Sequence, residues 1–170
     1  MNQKLKFYTL DPRYYHYLVQ FDDRIMTTED EKSNRPFVGV LLSINGTEYY
    51  APLTSPKPKH RHMRNQVDFV KIRGGDYGAI NLNNMIPVGP SSVNLLRFDT
   101  LPCETVKERQ YKELLLNQYR WCQSNSESIM KKAARLYDLM EKHPTELLQN
   151  RCCDFKLLEE KCKLYVEVTV

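Results

Sequence analysis

The apolar residues keep a short period through the first half of the chain and a helical one through the second. LKFYTL (5–10) reads as a strand. Asp11 then offers an N-cap and Pro12 an N1 residue to a short helix, PRYYHYLVQFD, whose Tyr14, Leu18 and Phe21 share one face. The polar run TTEDEKSN (27–34) reads as a mobile loop delivering Arg35 to the next strand. FVGVLLSI and TEYYAPL flank Asn45-Gly46, the pair a type I′ hairpin turn favours because both central residues accept positive φ. VDFVKIR and YGAINL flank Gly74-Gly75-Asp76 as a second hairpin, and MIPVG and VNLLRFD add short strands whose pairing Pro87 and Pro90 limit. Roughly five or six strands at this spacing predict a small, strongly curved antiparallel sheet or open barrel.

Beyond residue 105 the period changes. Tyr111, Leu114, Leu115, Tyr119 and Cys122 recur at helical intervals, and Ile129, Ala133, Leu136, Tyr137 and Met140 continue them. Ser124-Asn125-Ser126-Glu127 has the form of a capping box, which predicts two helices or one interrupted near 124. Pro144 ends the run, and Asp154 caps a last short helix, FKLLEEKCK, before the apolar tail LYVEVTV. The prediction is α+β in a single domain spanning 1–170: a β core with added helices.

Composition narrows the class. With 170 residues, 41% hydrophobic and 27% charged, the chain suits one globular domain with a real core. Apolar runs are too short to span a bilayer, and MNQKLKFY lacks a signal-peptide core, so the expected address is cytoplasmic, away from membranes. The five cysteines are odd in number and without C-x-x-C spacing, which argues against a disulfide framework and a zinc site. Cys103 and Cys122 fall in the helical pattern as expected buried residues. No metal and no cofactor are expected.

The net charge of +4 matters less than its distribution. Between Glu48 and Asp68 no acid occurs, while Lys57, Lys59, His60, Arg61, His62 and Arg64 crowd directly behind Thr54-Ser55. Hydroxyls before dense positive charge suit a phosphate and hence RNA, although a solvated basic loop reads equally well from these residues alone. No nucleophile elbow, P-loop or paired-carboxylate motif is present. RNA cleavage by its own 2′-OH requires none of these: positioned donors and positive charge at the phosphate carry most of it. Thr54 and Ser55 would hydrogen-bond phosphate oxygens, Lys57 would supply charge and a proton, and His60 and His62 titrate in the useful range. Tyr49 either orients the site or packs in the core. Lys57, Lys59, His60, Arg61, His62 and Arg64 would hold RNA, with Tyr14 or Tyr50 stacking on bases and Lys131, Lys132 and Arg135 forming a second basic patch.

Four segments in order, KFYTLDPRYYHYLVQFDDRI, RPFVGVLLSINGTEYYAPLTSPKPKH, GAINLNNMIPV and CDFKLLEEKCKLY, resemble the ToxN/AbiQ family of type III toxin–antitoxin endoribonucleases, most weakly over 100–150. The resemblance implies a compact barrel like that of Kid/MazF toxins, extended by helices. It implies metal-independent cleavage to a 2′,3′-cyclic phosphate and a 5′-hydroxyl. The implied partner is a repeat-derived RNA antitoxin, which the toxin cuts from its precursor and which folds as a pseudoknot over the site. Protein and RNA would alternate in a closed hetero-oligomer, and cellular and phage RNA would be substrates in abortive phage defence. The family's Thr-Ser-x-Lys falls on Thr54, Ser55 and Lys57, and its basic residue before the F-[IV]-G strand falls on Arg35, where some relatives carry Lys. An arginine there suits a phosphate clamp better than a proton donor, since it stays charged. Two other readings remain open on the residues: a non-catalytic RNA-binding module, and a protein-inhibited toxin of the Kid/MazF kind.

Overall fold

The computed structural model describes residues 4–25 and 35–169, with side chains through 165; the expected loop over 27–34 lies outside the described residues. Strand β1 (Lys6–Leu10) leads into helix α1 (Pro12–Leu18). The Asp11 side chain caps that helix by accepting the Arg13 N–H at 2.8 Å, so the cap and Pro12 act as predicted, but the helix stops at Leu18. Strands β2 (Phe37–Gly39) and β3 (Ser43–Ile44) form one outgoing stretch that pairs antiparallel with the long β4 (Thr47–Thr54). Asn45 (φ 50°) and Gly46 (φ 83°) close the two-residue turn between Ile44 and Thr47. The pairing of Val38 with Ala51 and of Ser43 with Glu48 leaves two extra residues on the outgoing side, a bulge that bends the ribbon.

Helix α2 (Pro58–His62) follows β4 directly, where the sequence suggested only a basic loop. Strands β5 (Val70–Lys71) and β6 (Ala79–Ile80) pair as the second hairpin, and the loop between them runs through a 3-10 turn over Ile72–Gly75. Strand β7 (Ile86–Val88) pairs with β4 alone, consistent with Pro87 lacking a donor, and β8 (Val93–Leu95) pairs with β1. Among the described residues eight strands form one antiparallel sheet, ordered β5-β6-β4-β2-β1-β8, with β3 and β7 also against β4. Among the described residues the sheet is open, with β5 and β8 at its ends.

Helices α3 (Val106–Ser124) and α4 (Ser126–Lys142) meet at Asn125, as the periodicity predicted. The capping box lies elsewhere. Thr105 and Glu108 make it at the start of α3, whereas Ser126 turns its hydroxyl back to the Cys122 carbonyl at 2.9 Å. A short α5 (Glu146–Arg151) was missed, and α6 (Phe155–Thr169) runs through the tail that was expected to follow it. Cys122 is buried on α3, but Cys103 precedes the helix and is exposed; all five cysteines are free.

The core lies between the sheet and α1, α4 and α6. Tyr49 is packed in the core. Its ring stands edge-on to Tyr137 and Phe155, and both tyrosine hydroxyls donate to the buried Glu159 carboxylate at 2.6 Å. Tyr14 donates to the Pro87 carbonyl at 2.5 Å and Tyr50 packs on Tyr8, so both are buried and neither stacks on a base as expected. No helix among the described residues is long and apolar enough to cross a membrane.

Candidate functional site

The end of β4 carries the predicted cluster. Alternation along the strand sends Tyr49, Ala51 and Leu53 to one face and Tyr50, Pro52 and Thr54 to the other, so Tyr49 and Thr54 point apart. Thr54 is buried, its hydroxyl 3.4 Å from the Ala79 carbonyl, while Ser55 and Lys57 are exposed. Arg35 reaches the same strand end from the segment entering β2: its Nη1 donates to the Leu53 carbonyl at 3.2 Å. The guanidinium is half-buried, its Nε has no partner, and among the described residues no carboxylate pairs with it. Burial lowers its pKa against the opposing pull of Tyr111 and Tyr15, yet it stays charged. Tyr111, expected in the core, is 42% exposed on this side of α3.

Three features that the sequence did not announce hold this strand end. Gln118 of α3, 2% exposed, donates through Nε2 to the Tyr77 carbonyl at 2.7 Å and more loosely to that of Thr54 at 3.4 Å. Gly78 (φ 90°) lies so close that a Cβ there would meet the Thr54 oxygen at 1.9 Å. Gly75 (φ 97°) backs onto His60, where a Cβ would meet its carbonyl at 2.7 Å. The run RGGDYG thus supports the cluster from beneath as well as turning a hairpin. The glycines were visible in the sequence, but the surfaces against which they lie were not.

His60 corrects the expectation of a surface contact to RNA. It is 3% exposed, its ring 5.8 Å from that of Phe69, and its Nδ1 accepts the Lys57 N–H at 3.0 Å. Burial lowers its pKa, and Lys59 and Lys57 lower it further. Around it Lys59, Arg61, His62 and Arg64 are exposed, with Arg61 3.2 Å from Asp76 on the supporting loop. The second basic patch adjoins the first: Lys132 of α4 donates to the Phe69 carbonyl at 3.1 Å, behind the ring that covers His60. Burial lowers the Lys132 pKa against the field of Asp68. Lys131 pairs with Glu127 at 3.1 Å, and Arg135 is exposed on the same groove. Among the described residues no group of three or more His, Cys, Asp or Glu side chains gathers as metal ligands.

An exposed serine and lysine at a strand end, a half-buried arginine that pairs with no carboxylate among the described residues and a flanking basic surface have the chemistry that suits a polyanion's phosphates. The comparisons give that class a family. Residues 6–163 match the family model of toxin ToxN, type III toxin–antitoxin system. The chain is 33% identical to endoribonuclease ToxN of Bacillus thuringiensis subsp. kurstaki, over 95% of its own length and 84% of the relative's. It is 34% identical to endoribonuclease ToxN of Pectobacterium atrosepticum, over 92% and 91%. Its fold superposes with a TM-score of 0.82 on a solved type III toxin that a non-coding RNA pseudoknot selectively inhibits, at 32% identity over 97% and 99% of the two chains. For AbiQ, a lactococcal anti-phage endoribonuclease of a type III toxin–antitoxin system, the TM-score is 0.80 at 28% identity, with 97% and 99% covered. The chain belongs to the ToxN family of type III toxin–antitoxin system toxins.

Proposed function

We propose that this protein is an endoribonuclease toxin held in check by a small folded RNA, which it cuts from its own repeat-containing precursor. Family membership carries this reading, and the meeting of Arg35, Thr54, Ser55 and Lys57 at one strand end supports it. Cleavage proceeds by attack of the RNA 2′-OH on the adjacent phosphate, without a metal, leaving a 2′,3′-cyclic phosphate and a 5′-hydroxyl. Arg35 clamps a phosphate oxygen: a half-buried cation that pairs with no carboxylate among the described residues is suited to an anionic ligand. Ser55 donates to the phosphate as charge builds, Thr54 shapes its pocket, and Lys57 faces the leaving 5′-oxygen with charge and a proton.

The exposed Lys59, Arg61, His62 and Arg64, with Lys131 and Arg135 on α4, contact antitoxin phosphates. The antitoxin is a pseudoknot occupying the site, and toxin and RNA alternate in a closed assembly. Released toxin cuts cellular and phage RNA in the cytoplasm, an abortive defence. The open, bent sheet is a variant of the Kid/MazF-type barrel, and 1–170 act as one endoribonuclease domain. Comparing Ser55→Ala with wild type on a tandem-repeat transcript tests the reading: cleavage falls by orders of magnitude while RNA binding survives. Equal cleavage by both removes Ser55 from the site.

A further inference from the structure

Deepening that reading, we infer that His60 is a positioning residue for Lys57: its buried imidazole, as the Nε2–H tautomer, holds the backbone from which the lysine reaches RNA. Two bonds make the clasp. The His60 N–H donates to the Lys57 carbonyl at 2.9 Å, and the Lys57 N–H donates to His60 Nδ1 at 3.0 Å. A neutral imidazole whose Nδ1 accepts must carry its proton on Nε2. The side-chain bond is one half of a capping box, with histidine where glutamate or glutamine usually stands at N3 and Lys57 at the N-cap; the other half is taken by the Lys57 backbone carbonyl, since a lysine side chain has no acceptor. A five-residue helix has little stability of its own, so this bond and the packing around the ring fix its first turn.

The surroundings lock the ring in place and keep it neutral. Phe69 lies at 5.8 Å between ring centroids, and the Gly75 backbone leaves no room for a Cβ against the His60 carbonyl. The charged groups about it are Lys57 and Lys59 on its own segment, Arg61 paired with Asp76 on the facing loop, and Lys132 on the Phe69 carbonyl beside buried Asp68. A proton on Nδ1 would replace the acceptor with a donor facing the Lys57 N–H and open the clasp. Because burial and the neighbouring lysines hold the folded-state pKa below the ordinary histidine value, the clasp is intact at neutral pH and is lost as pH falls through the folded-state pKa. Lys57 then loses its fixed origin, and cleavage acquires an acid limb unrelated to proton transfer by His60.

His60→Gln separates positioning from proton transfer, since a glutamine at N3 still reaches the N-cap N–H but does not titrate. At neutral pH we expect His60→Gln to cleave within about threefold of wild type and to lack the acid limb, and His60→Ala to fall by about tenfold or more. RNA binding should change little in either variant. Nitrogen NMR of the labelled wild-type ring should report the Nε2–H tautomer at neutral pH, a readout independent of cleavage and of either variant's folding. His60→Gln as inactive as His60→Ala, with its fold intact, overturns the clasp in favour of proton transfer. A wild-type ring protonated on Nδ1 overturns it as well. A wild-type protein that cuts no RNA, whatever its tautomer, overturns instead the nuclease reading on which this inference rests.

Discussion

Gly78→Ala is the sharpest structural perturbation available near the site. The backbone there has φ 90°, and an added Cβ would sit 1.9 Å from the Thr54 oxygen and 3.0 Å from the Ser55 carbonyl carbon. Real Cβ atoms keep at least 3.0 Å, so the strand end and the loop must part by about 1 Å. A misplacement of about 1 Å in reacting groups costs roughly 100-fold in rate, on top of about 1–2 kcal/mol for a left-handed alanine. Gly74→Ala is the matched control. It has φ 63°, with nothing within 4 Å of its Cβ, so it bears comparable backbone strain and no collision. Single-turnover cleavage of a repeat transcript, beside thermal melts followed by circular dichroism, separates the two effects. Both variants should melt a few degrees lower, at about 2–4 °C per kcal/mol for a chain of this size. Only Gly78→Ala should cut about 100-fold more slowly. A folded Gly78→Ala protein cutting at the rate of Gly74→Ala would refute the idea that Thr54-Ser55 must be held in place.

Lys57→Ala and Ser55→Ala should each reduce single-turnover cleavage by about 100–1000-fold, the usual loss of one transition-state donor; filter binding of a non-cleavable RNA should show affinity preserved for Ser55→Ala. Arg35→Lys keeps the charge but loses the planar fork, so cleavage should fall about tenfold, and a faster enzyme would instead mean that this position transfers a proton. Tyr49→Phe removes a hydrogen bond to buried Glu159, worth about 1.5–3 kcal/mol. Its melting temperature should drop while its cleavage rate at a permissive temperature does not, and a selective loss of rate would return Tyr49 to the site.

Elements specified by local chemistry were legible in the sequence. Asn45-Gly46 needs positive φ and turns the hairpin, Asp11-Pro12 starts α1, and the helical period marks α3 and α4. What failed was set by contacts between distant residues. Helix α2 stands on one histidine–backbone bond and on Gly75 from another loop, which no window of propensity records. Helix α6 runs past its expected end at Lys163, and Tyr165 beyond that end packs its ring against Tyr14 and Tyr17 of α1, a contact between distant residues that no local propensity records. Ser124 and Glu127 have capping-box spacing, yet α3 runs through Ser124, and the hydroxyl of Ser126 returns to the Cys122 carbonyl instead.

The candidate site divides in the same way. Thr54, Ser55 and Lys57 could be chosen from charge and hydroxyl order, and Arg35 from family likeness, because they are contiguous or carried by a motif. Gln118 lies 64 residues from Thr54, so only the fold brings its amide to that carbonyl. His60 looked like one more cation in a basic run. Its burial depends on Phe69 and on the loop bearing Gly75, which the sequence does not pair with it.

The central claim, metal-independent cleavage driven by the RNA's own 2′-OH, is tested most directly on a tandem-repeat transcript. The purified protein is incubated with it in excess EDTA, and both new ends are analysed chemically. The account predicts cleavage in EDTA at an undiminished rate, with a 2′,3′-cyclic phosphate on one fragment and a 5′-hydroxyl on the other. Tight binding without cleavage, or cleavage that EDTA abolishes and that leaves a 3′-hydroxyl, would contradict it.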